Sequence, residues 1–352
     1  MRTFRSDNNA GLSPEAIKAI VEANDESHYT GYGDDAYTKR AEEAFRSIFG
    51  RDISVFFVAS GTAANTLAIA SLTQPWEQVL CHAHSHCNDD ESTAPERLTH
   101  CRMTAIHSTS PKITVEDFKK AATHWRGDVH QPQPGVFSIS NTTEYATVYT
   151  PEEVSALCDL GHEAGFRVHV DGARFANAVA ALNCDPRDLT SRAGVDALSF
   201  GGTKNGLAFG EAVVFFPQGD GAVFERATRT FPFHRKSTGH LLSKHRFVSA
   251  PFAATLCDGS WLRHAHDANA MAGELARGLT KLGIQPYFPT QANGVFVSLP
   301  PAVDKALQAK GHGYYPFGDP ALKLSRLMCS FDTTLEDVRG LLADVESALR
   351  GR

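Results

Sequence analysis

A lysine and an aspartate lie at or just past the ends of two apolar runs in this chain. Lys204 lies in Ser199-Phe-Gly-Gly-Thr-Lys-Asn-Gly206, and Asp171 lies upstream in Val168-His-Val-Asp-Gly-Ala-Arg174. A partly desolvated lysine has a lowered pKa and becomes a nucleophile, and a carboxylate at a strand end can pair with a protonated ring nitrogen. The pair therefore predicts a site for pyridoxal phosphate (PLP), which forms a Schiff base with a lysine.

Each residue of this pair also has an ordinary structural explanation. Lysines are mostly solvent-exposed, and Lys204 would then belong to a polar loop. Asp171 would cap a helix or form an ion pair with Arg174. The glycines beside Lys204 and the apolar runs favour the cofactor site, because ligands of open α/β sheets bind outside the carboxyl ends of the strands.

A third segment joins a predicted strand to an apolar helix. Ser60-Gly-Thr-Ala-Ala-Asn65 has small residues that allow backbone N–H groups to approach a phosphate at the positive end of the helix. The hydroxyl of Thr62 adds one donor. The segment contains neither Gly-x-Gly-x-x-Gly nor the P-loop motif, which disfavours a dinucleotide site and an NTPase. The alternative is an ordinary strand–helix turn.

Histidines are concentrated in Cys81-His-Ala-His-Ser-His-Cys-Asn-Asp-Asp-Glu91. The spacing of His82, His84 and His86 beside cysteines and carboxylates resembles a set of metal ligands and would suit a zinc hydrolase. That interpretation gives no role to the lysine–aspartate pair. Alternatively, an imidazole stacks on a pyridine ring and acts as an acid or base near neutral pH. We favour the second interpretation, and no metal is expected.

Two further basic features of the sequence could bind anions. Arg326 lies inside the apolar run Leu324-Ser-Arg-Leu-Met-Cys329, where a charge needs a partner. A substrate carboxylate held bidentately would serve, with Arg174 as a second donor; a salt bridge at a domain interface is the alternative. Residues 226–246 form a basic stretch that reads as a solvated loop or as a phosphate contact across a subunit interface.

Apolar runs and helix signals alternate along most of the chain. This alternation predicts an α/β fold with a large domain, residues 1–250, whose mostly parallel sheet is covered on both faces. A small C-terminal α/β domain is predicted for residues 251–352. Capping boxes begin helices at Thr114, running to residue 124, and at Thr150. Strands are predicted at 55–58, 78–82, 136–140, 167–170, 196–200, 212–216, 295–299 and 324–329.

The composition excludes several classes of protein. The 352 residues carry a formal net charge of −6, so nucleic acid is not an expected partner. No apolar run reaches the roughly 18–20 residues of a membrane span, and the first residues lack a signal-peptide core. Seven cysteines, an odd number without Cys-x-x-Cys, predict reduced thiols and a cytoplasmic protein.

Taken in order, these motifs resemble those of the low-specificity L-threonine aldolase family, PLP enzymes with the aspartate aminotransferase fold (fold type I). The resemblance covers nearly the whole chain. His-x-Asp-Gly-Ala-Arg at 169–174 and Gly-Gly-Thr-Lys-Asn-Gly at 201–206 are specific when they occur together. The fit is best to bacterial members that also cleave phenylserine. The other matching segments are Arg5-Ser-Asp-Asn8, Tyr32-Gly-Asp-Asp35, Ser60-Gly-Thr-Ala-Ala-Asn65, His86 and Arg326.

The resemblance implies a role for each site residue. His86 would stack on the cofactor ring, and Arg235 or Lys236 would reach a neighbouring subunit's phosphate. The full set of cofactor-binding residues is Lys204, Asp171, His86, Gly61, Thr62, Arg174 and Arg235. Substrate-binding roles fall to Ser6, Tyr32, Asp90, Arg174 and Arg326. Tyr32 would lie at the site mouth, and Asp90 and Glu91 would tune the preferred β-substituent. Catalytic roles, with one of the two histidines as the base for the β-hydroxyl, fall to Lys204, His86 and His130.

The implied enzyme is a carbon–carbon lyase. It cleaves L-threonine, L-allo-threonine and related β-hydroxy-α-amino acids such as phenylserine to glycine and an aldehyde. The resemblance also implies a homodimer or homotetramer with active sites at the dimer interface. Other reactions of the same fold stay open, namely β-elimination, transamination, and transaldolase-like or hydroxymethyltransferase-like chemistry. The remaining alternatives are a metal hydrolase built on the histidine cluster and a non-catalytic binding protein with the PLP-enzyme fold.

Overall fold

The computed structural model describes residues 3–122, 126–219 and 221–351. Its strands follow the apolar runs of the sequence closely, because a strand buried on both faces needs an unbroken apolar segment. The strands are β1 (Ser54–Val58), β2 (Glu77–His82), β3 (Arg102–Ile106), β4 (Gln133–Ser140), β5 (Arg167–Gly172), β6 (Ala197–Gly201), β7 (Glu211–Phe215), β8 (Gly294–Val297), β9 (Tyr315–Phe317) and β10 (Leu324–Met328).

The large sheet of the described residues has the order β1-β7-β6-β5-β4-β2-β3. The strands β6, β5, β4, β2 and β3 pair in parallel. Only β7 runs against its neighbours β1 and β6. The predicted α/β fold with a mostly parallel, mixed sheet is confirmed, and the carboxyl ends of β4, β5 and β6 meet at one edge.

Side chains that start the helices explain where most of them begin. Asp35 accepts a hydrogen bond from the Thr38 N–H, and Thr150 forms a capping box with Glu153. The predicted end of the Thr114 helix, at residue 124, lies outside the described residues. The helices are α1 (Pro14–Glu22), α2 (Ala36–Phe49), α3 (Gly61–Leu72), α4 (His86–Asp89), α5 (Ala94–Thr99), α6 (Val115–Ala122), α7 (Pro151–Glu163), α8 (Phe175–Leu182), α9 (Ala222–Ser237), α10 (Arg246–Cys257), α11 (Ser260–Lys281), α12 (Pro301–Ala309) and α13 (Leu335–Arg350).

Alternation along the strands divides the large domain's core between the two faces of the sheet. Phe137 and Leu198 face α2, α7 and α10, whereas their neighbours Val136 and Ala197 face α3 and α9. Stacked phenylalanines fill the first face; for example, the rings of Phe45 and Phe200 lie 5.1 Å apart. Both faces are covered, as the apolar runs predict.

The sequence did not indicate β3 and β9. The first residue of β3, Arg102, is exposed, because the strand lies at the edge of the large sheet. The three-residue strand β9 contains Pro316, which cannot donate a ladder hydrogen bond and is tolerated at a sheet edge. Both strands depend on a neighbouring strand and carry a weak local pattern.

The C-terminal part of the chain forms a second core around the antiparallel sheet β8-β10-β9. The helix α11 links the cores: Trp261 and Ala265 pack on the large sheet, and Leu275 and Leu279 pack on the small one. The division at residues 1–250 and 251–352 falls inside α10 and stays a prediction. Phe4 also packs in the second core, with its N–H donating to the Gly313 carbonyl at 2.9 Å.

No helix within the described ranges combines the length and the apolar character that a membrane crossing would require.

Candidate active site

A cavity opens where the carboxyl ends of β4, β5 and β6 meet the start of α3. Parallel strands that end at one edge bring their following turns together, so side chains distant in sequence become neighbours. The cavity is lined by Gly61, Asn65, His86, Ser140, Thr142, Glu144, Asp171, Ala173, Arg174 and Lys204.

Lys204 lies in the short helical turn that follows β6. Gly201 permits this turn to approach the one after β5, since an added Cβ would lie 2.2 Å from the Ala173 carbonyl oxygen. Burial, reinforced by the positive charge of Arg174, lowers the pKa of the Lys204 ammonium. A lysine in this environment is closer to a neutral, nucleophilic amine than a surface lysine is.

The turn that carries Lys204 is held by a buried carboxylate that the sequence analysis did not single out. Glu211, at the start of β7, accepts a hydrogen bond of 2.6 Å from the Gly202 N–H. Burial raises the pKa of Glu211 to about 7. Glu211 follows Phe-Gly and begins an apolar run in the sequence. This position could have indicated a buried carboxylate with hydrogen-bond partners, because a buried charge needs them.

Asp171 lies near the end of β5 and is 6% exposed. Its carboxylate accepts hydrogen bonds from the Asn65 amide at 2.8 Å and from the Ala173 N–H at 3.0 Å. Burial opposes ionisation, but the positive charge of His86 and the Ala173 N–H outweigh it, and the pKa of Asp171 is lowered. The group is therefore an ionised acceptor, and the alternative of an ion pair with Arg174 is not observed.

A buried histidine lies one side-chain step below Asp171 on the same face of β5. The ring of His169 bonds the hydroxyls of Ser138 and Ser199, each at 2.9 Å, across β4, β5 and β6. Burial lowers the pKa of His169 to about 4, so the ring is neutral. This cross-strand bridge fixes the three strands whose ends form the cavity.

His86 begins α4 and is held by two buried carboxylates. Its ring Nδ1 lies 2.9 Å from a Glu91 carboxylate oxygen, and its backbone N–H donates to Glu144 at 2.9 Å. The hydrogen bond to Glu91 raises the pKa of His86. Burial raises the pKa of both glutamates. The sequence analysis gave neither glutamate this position, since five and 58 residues separate them from His86.

Gly61 and Thr62 form the first turn of α3, where backbone N–H groups have no acceptor within the helix. The Ser60 hydroxyl accepts from the Ala63 N–H at 3.3 Å. An added Cβ at Gly61 would meet no atom within 4 Å. The space beside this helix end lies on the cavity side and suits an anion.

Arg174 forms a buried pair that the sequence analysis did not predict. Its Nε and one terminal nitrogen bond the two carboxylate oxygens of Asp7 at 2.6 and 2.9 Å. Asp7 also accepts from the Asn293 amide at 3.0 Å. Burial opposes ionisation of Asp7, but Arg174 outweighs it and lowers the pKa to about 2. Ser6 begins the same short helical turn, Asp7–Asn9.

Arg326 lies on β10 near this pair. Its guanidinium lies over the Phe317 ring, 4.8 Å from the centroid, and one nitrogen donates to the Arg5 carbonyl at 3.5 Å. Its Nε is buried and, among the described residues, has no hydrogen-bond partner. The predicted alternative, a salt bridge to an Asp or Glu, is not observed for Arg326 within those residues. The Nε hydrogen is therefore a donor without an acceptor in these residues, and an anion beside it would supply one.

Comparison with known proteins identifies relatives of this chain in sequence and in structure. The sequence model of the beta-eliminating lyase family matches residues 3–300. A low specificity L-threonine aldolase of Pseudomonas sp. is 41% identical over 98% of this chain and 97% of its own. The one from Pseudomonas aeruginosa is 42% identical over 97% and 96%. The structure of a Leishmania major threonine aldolase superposes with a TM-score of 0.89 at 25% identity, covering 99% of both chains.

The chain belongs to the low-specificity L-threonine aldolase family. The family predicted from the motifs is confirmed, and so is the predicted fold.

The structure brings most of the predicted site residues of this family member together, but not all of them. Lys204, Asp171, His86, Gly61 and Arg174 line one cavity. Thr62, Ser6 and Arg326 lie next to them, on α3, on the segment bonded to Arg174, and on β10, as set out above. The roles of these residues stay predictions.

Two predicted residues lie outside the cavity within the protomer. His130 is exposed in the loop before β4, whereas the cavity lies at the other end of that strand, about 25 Å away. Asp90 follows α4 and lies in the wall of an open groove that also includes His84 and Phe317. The Asp90 N–H donates to the His86 carbonyl at 2.9 Å, and the charge of its carboxylate acts on Arg326. Both assignments stay predictions.

Tyr32, Arg235 and Lys236 form a separate surface cluster. The Lys236 ammonium lies 4.6 Å from the centre of the Tyr32 ring, which is 53% exposed. Arg235 donates to the Phe57 carbonyl at 3.3 Å, and burial lowers its pKa to about 10. The cluster does not line the cavity of its own protomer.

The three clustered histidines have separate partners. His82 bonds the Ser110 carbonyl at 3.0 Å, and His84 lies 3.3 Å from the Asp89 carboxylate. The rings of His82 and His84 lie 5.7 Å apart, whereas His86 lines the cavity and the other two do not. In the ranges that the structure describes, no three or more His, Cys, Asp or Glu residues are arranged to hold a metal ion. The metal-hydrolase alternative has no geometric support there.

Proposed function

We propose that this chain cleaves L-threonine, L-allo-threonine and related β-hydroxy-α-amino acids to glycine and an aldehyde, with PLP as cofactor. The observation that carries the proposal is one cavity lined by a partly buried lysine with a lowered pKa, an ionised aspartate and a histidine. Membership of the threonine aldolase family supports cleavage of the Cα–Cβ bond among the reactions of this fold.

The side chains of the cavity fit PLP at three points. Asp171 provides a buried carboxylate for the pyridine nitrogen, and Lys204 provides an amine with a lowered pKa. The open space at Gly61, beside the first turn of α3, suits the phosphate. Bound PLP supplies an electron sink for the pair released when the Cα–Cβ bond breaks.

The remaining residues bind and orient the substrate. Arg326 holds the substrate carboxylate, a role supported by its buried and unbonded Nε. Arg174 has less capacity for this task, because Asp7 already takes two of its donors. A fixed carboxylate sets the direction of the Cα–Cβ bond, and His86 accepts the proton of the β-hydroxyl.

The experiment is direct. Purified protein is saturated with PLP, treated with borohydride and digested, and the modified peptide is identified by mass spectrometry. We expect PLP on Lys204, loss of that label and of aldehyde production in Lys204→Ala, and no change in Lys281→Ala, a surface lysine at the end of α11. Protein that takes up no PLP, or that releases no aldehyde from threonine, allo-threonine or phenylserine, would refute the proposal.

Beta-elimination is the second candidate, because the matching family description names it. Product analysis separates the two reactions. Retro-aldol cleavage yields glycine and free aldehyde, whereas elimination yields a keto acid and ammonia.

We also propose that the protein is at least a homodimer in the cytoplasm. The surface cluster of Tyr32, Arg235 and Lys236 would then reach the phosphate in the neighbouring subunit's site. Its position outside the cavity of its own protomer supports this arrangement. The seven free thiols agree with a reducing compartment.

A further inference from the structure

Glu91 connects the imidazole of His86 to the carboxylate of Asp171 through one amide group. A single oxygen of Glu91 lies 2.9 Å from His86 Nδ1 and 2.9 Å from the Asn65 Nδ2. The same Asn65 nitrogen donates its second hydrogen to Asp171 at 2.8 Å. Four side chains from α4, the loop after it, α3 and β5 thus form one chain of hydrogen bonds.

The chemistry of the amide settles which atoms donate. Asn65 faces two carboxylates, so its NH₂ points at both and its oxygen points away; the reverse orientation would set an acceptor against two acceptors. The Glu91 oxygen is therefore an acceptor. An acceptor oxygen 2.9 Å from His86 Nδ1 requires that Nδ1 carry the hydrogen. In the neutral ring, Nε2 then holds the lone pair.

Glu91 and His86 differ in their exposure to solvent. The Glu91 side chain is fully buried, whereas the His86 side chain is 39% exposed and lines the cavity with Lys204. The buried end fixes the ring, and the open end presents Nε2. The other charged groups acting on His86 are Asp171 and Lys204, and Glu144 accepts its backbone N–H.

We propose that Glu91 is the positioning residue that makes His86 the base of the reaction, by holding the proton on Nδ1 and leaving Nε2 free. The inference rests on the proposed function. The O–H bond of the substrate breaks, its proton passes to Nε2, and its electron pair forms the C=O bond of the aldehyde. Bound PLP would supply the electron sink for the Cα–Cβ pair, Cα would take a proton from solvent, and His86 would release its proton to water. The buried carboxylate stabilises the imidazolium in between.

The first test measures which nitrogen of the His86 ring carries the proton. Protein labelled with ¹⁵N-histidine is examined by NMR with and without PLP, and the His86 signals are assigned by their loss in His86→Gln. We expect Nδ1 protonated and Nε2 unprotonated in the neutral ring. In Glu91→Ala, which removes the acceptor, this preference should be lost. A ring protonated on Nε2 in the unaltered protein would overturn the proposal.

The second test uses Glu91→Gln, which keeps an acceptor oxygen but removes the charge. Because the bond to Glu91 raises the pKa of His86, its loss lowers that pKa. The acid limb of kcat/KM should therefore move to lower pH, while kcat/KM at pH 7 falls about 100-fold. A purely structural Glu91 would reduce activity without moving the limb, and that result would also overturn the proposal.

Asp89→Asn is the matched control. Asp89 lies on the same short helix as His86, and its side chain is 45% exposed. Its carboxylate lies beside a different histidine, His84. The acid limb should not move. If no β-hydroxy amino acid is cleaved at all, the proposed function fails, yet the NMR result still decides whether Glu91 sets the His86 tautomer.

Discussion

The pair formed by Asp7 and Arg174 should stabilise the fold more than a surface ion pair does, and Asp7→Asn tests this. Asp7 is 1% exposed and accepts three hydrogen bonds, two from Arg174 and one from Asn293. Asparagine has the same shape but no charge. The substitution leaves the Arg174 guanidinium, 13% exposed, without its counter-charge.

The pKa gives the magnitude. A fall from 3.8 to about 2 for Asp7 corresponds to about 2.5 kcal/mol of stability at neutral pH. Breaking one side of a buried pair costs roughly 3–5 kcal/mol, and the isosteric amide recovers part of it. We therefore expect Asp7→Asn to lower the free energy of unfolding by about 2–4 kcal/mol at pH 7.

The effect has a defined pH dependence. The folded-state pKa of Asp7 is depressed, so its contribution is present above the unfolded-state pKa near 4 and is lost as pH falls toward 2. The difference between the two proteins should shrink by about half at pH 3. Equilibrium unfolding in guanidinium chloride at pH 7 and pH 3 measures both numbers.

Asp185→Asn provides the control. The pKa of Asp185 is also lowered to about 2, first by its bond to Arg187. However, Arg187 is 42% exposed, and water screens such a pair. Because this ion pair is exposed, we expect Asp185→Asn to lower the free energy of unfolding by only about 0–1 kcal/mol. A loss below 1 kcal/mol for Asp7→Asn, or an equal loss at both pH values, would refute the reasoning.

Three further substitutions test the binding residues. Arg326→Ala should reduce kcat/KM for L-threonine by roughly 30- to 1000-fold, and Arg326→Lys should restore only part, because lysine lacks the planar donor pair; near-normal kinetics would rule out the carboxylate role. Gly61→Ala should leave thermal stability unchanged, since the methyl meets no atom, yet weaken PLP binding at least 10-fold in an absorbance titration; equal affinity would remove the phosphate assignment. Mixing inactive Lys204→Ala and Arg235→Ala proteins under exchange should restore about a quarter of wild-type activity if Arg235 serves the neighbouring site, and nothing if it serves its own.

The residues at strand ends are the part of the site that the sequence predicts. Lys204 and Asp171 follow buried parallel strands, and such strands end at one edge of a sheet. The apolar runs that identify these strands are local patterns. They are readable without knowledge of the fold, and the cavity arises where they end.

The supporting carboxylates are the part that the sequence does not predict. Asp7 finds Arg174 across 167 positions, and Glu144 finds His86 across 58. No local pattern specifies such partners, because the path of the chain brings them together. The spacing of the clustered histidines misleads as well, since His86 lines the cavity while His82 and His84 bond Ser110 and Asp89.

The segment beginning at Phe4 has a consequence for synthesis. Its partners are Gly313 and Met328 in the small sheet, and Asp7 meets Asn293, nearly three hundred residues later. A ribosome that has made the whole large sheet has still not supplied these partners. The segment is therefore translated well before the residues that it packs against. Arg326 donates to the Arg5 carbonyl of this segment, so that contact forms only after β10 has left the ribosome.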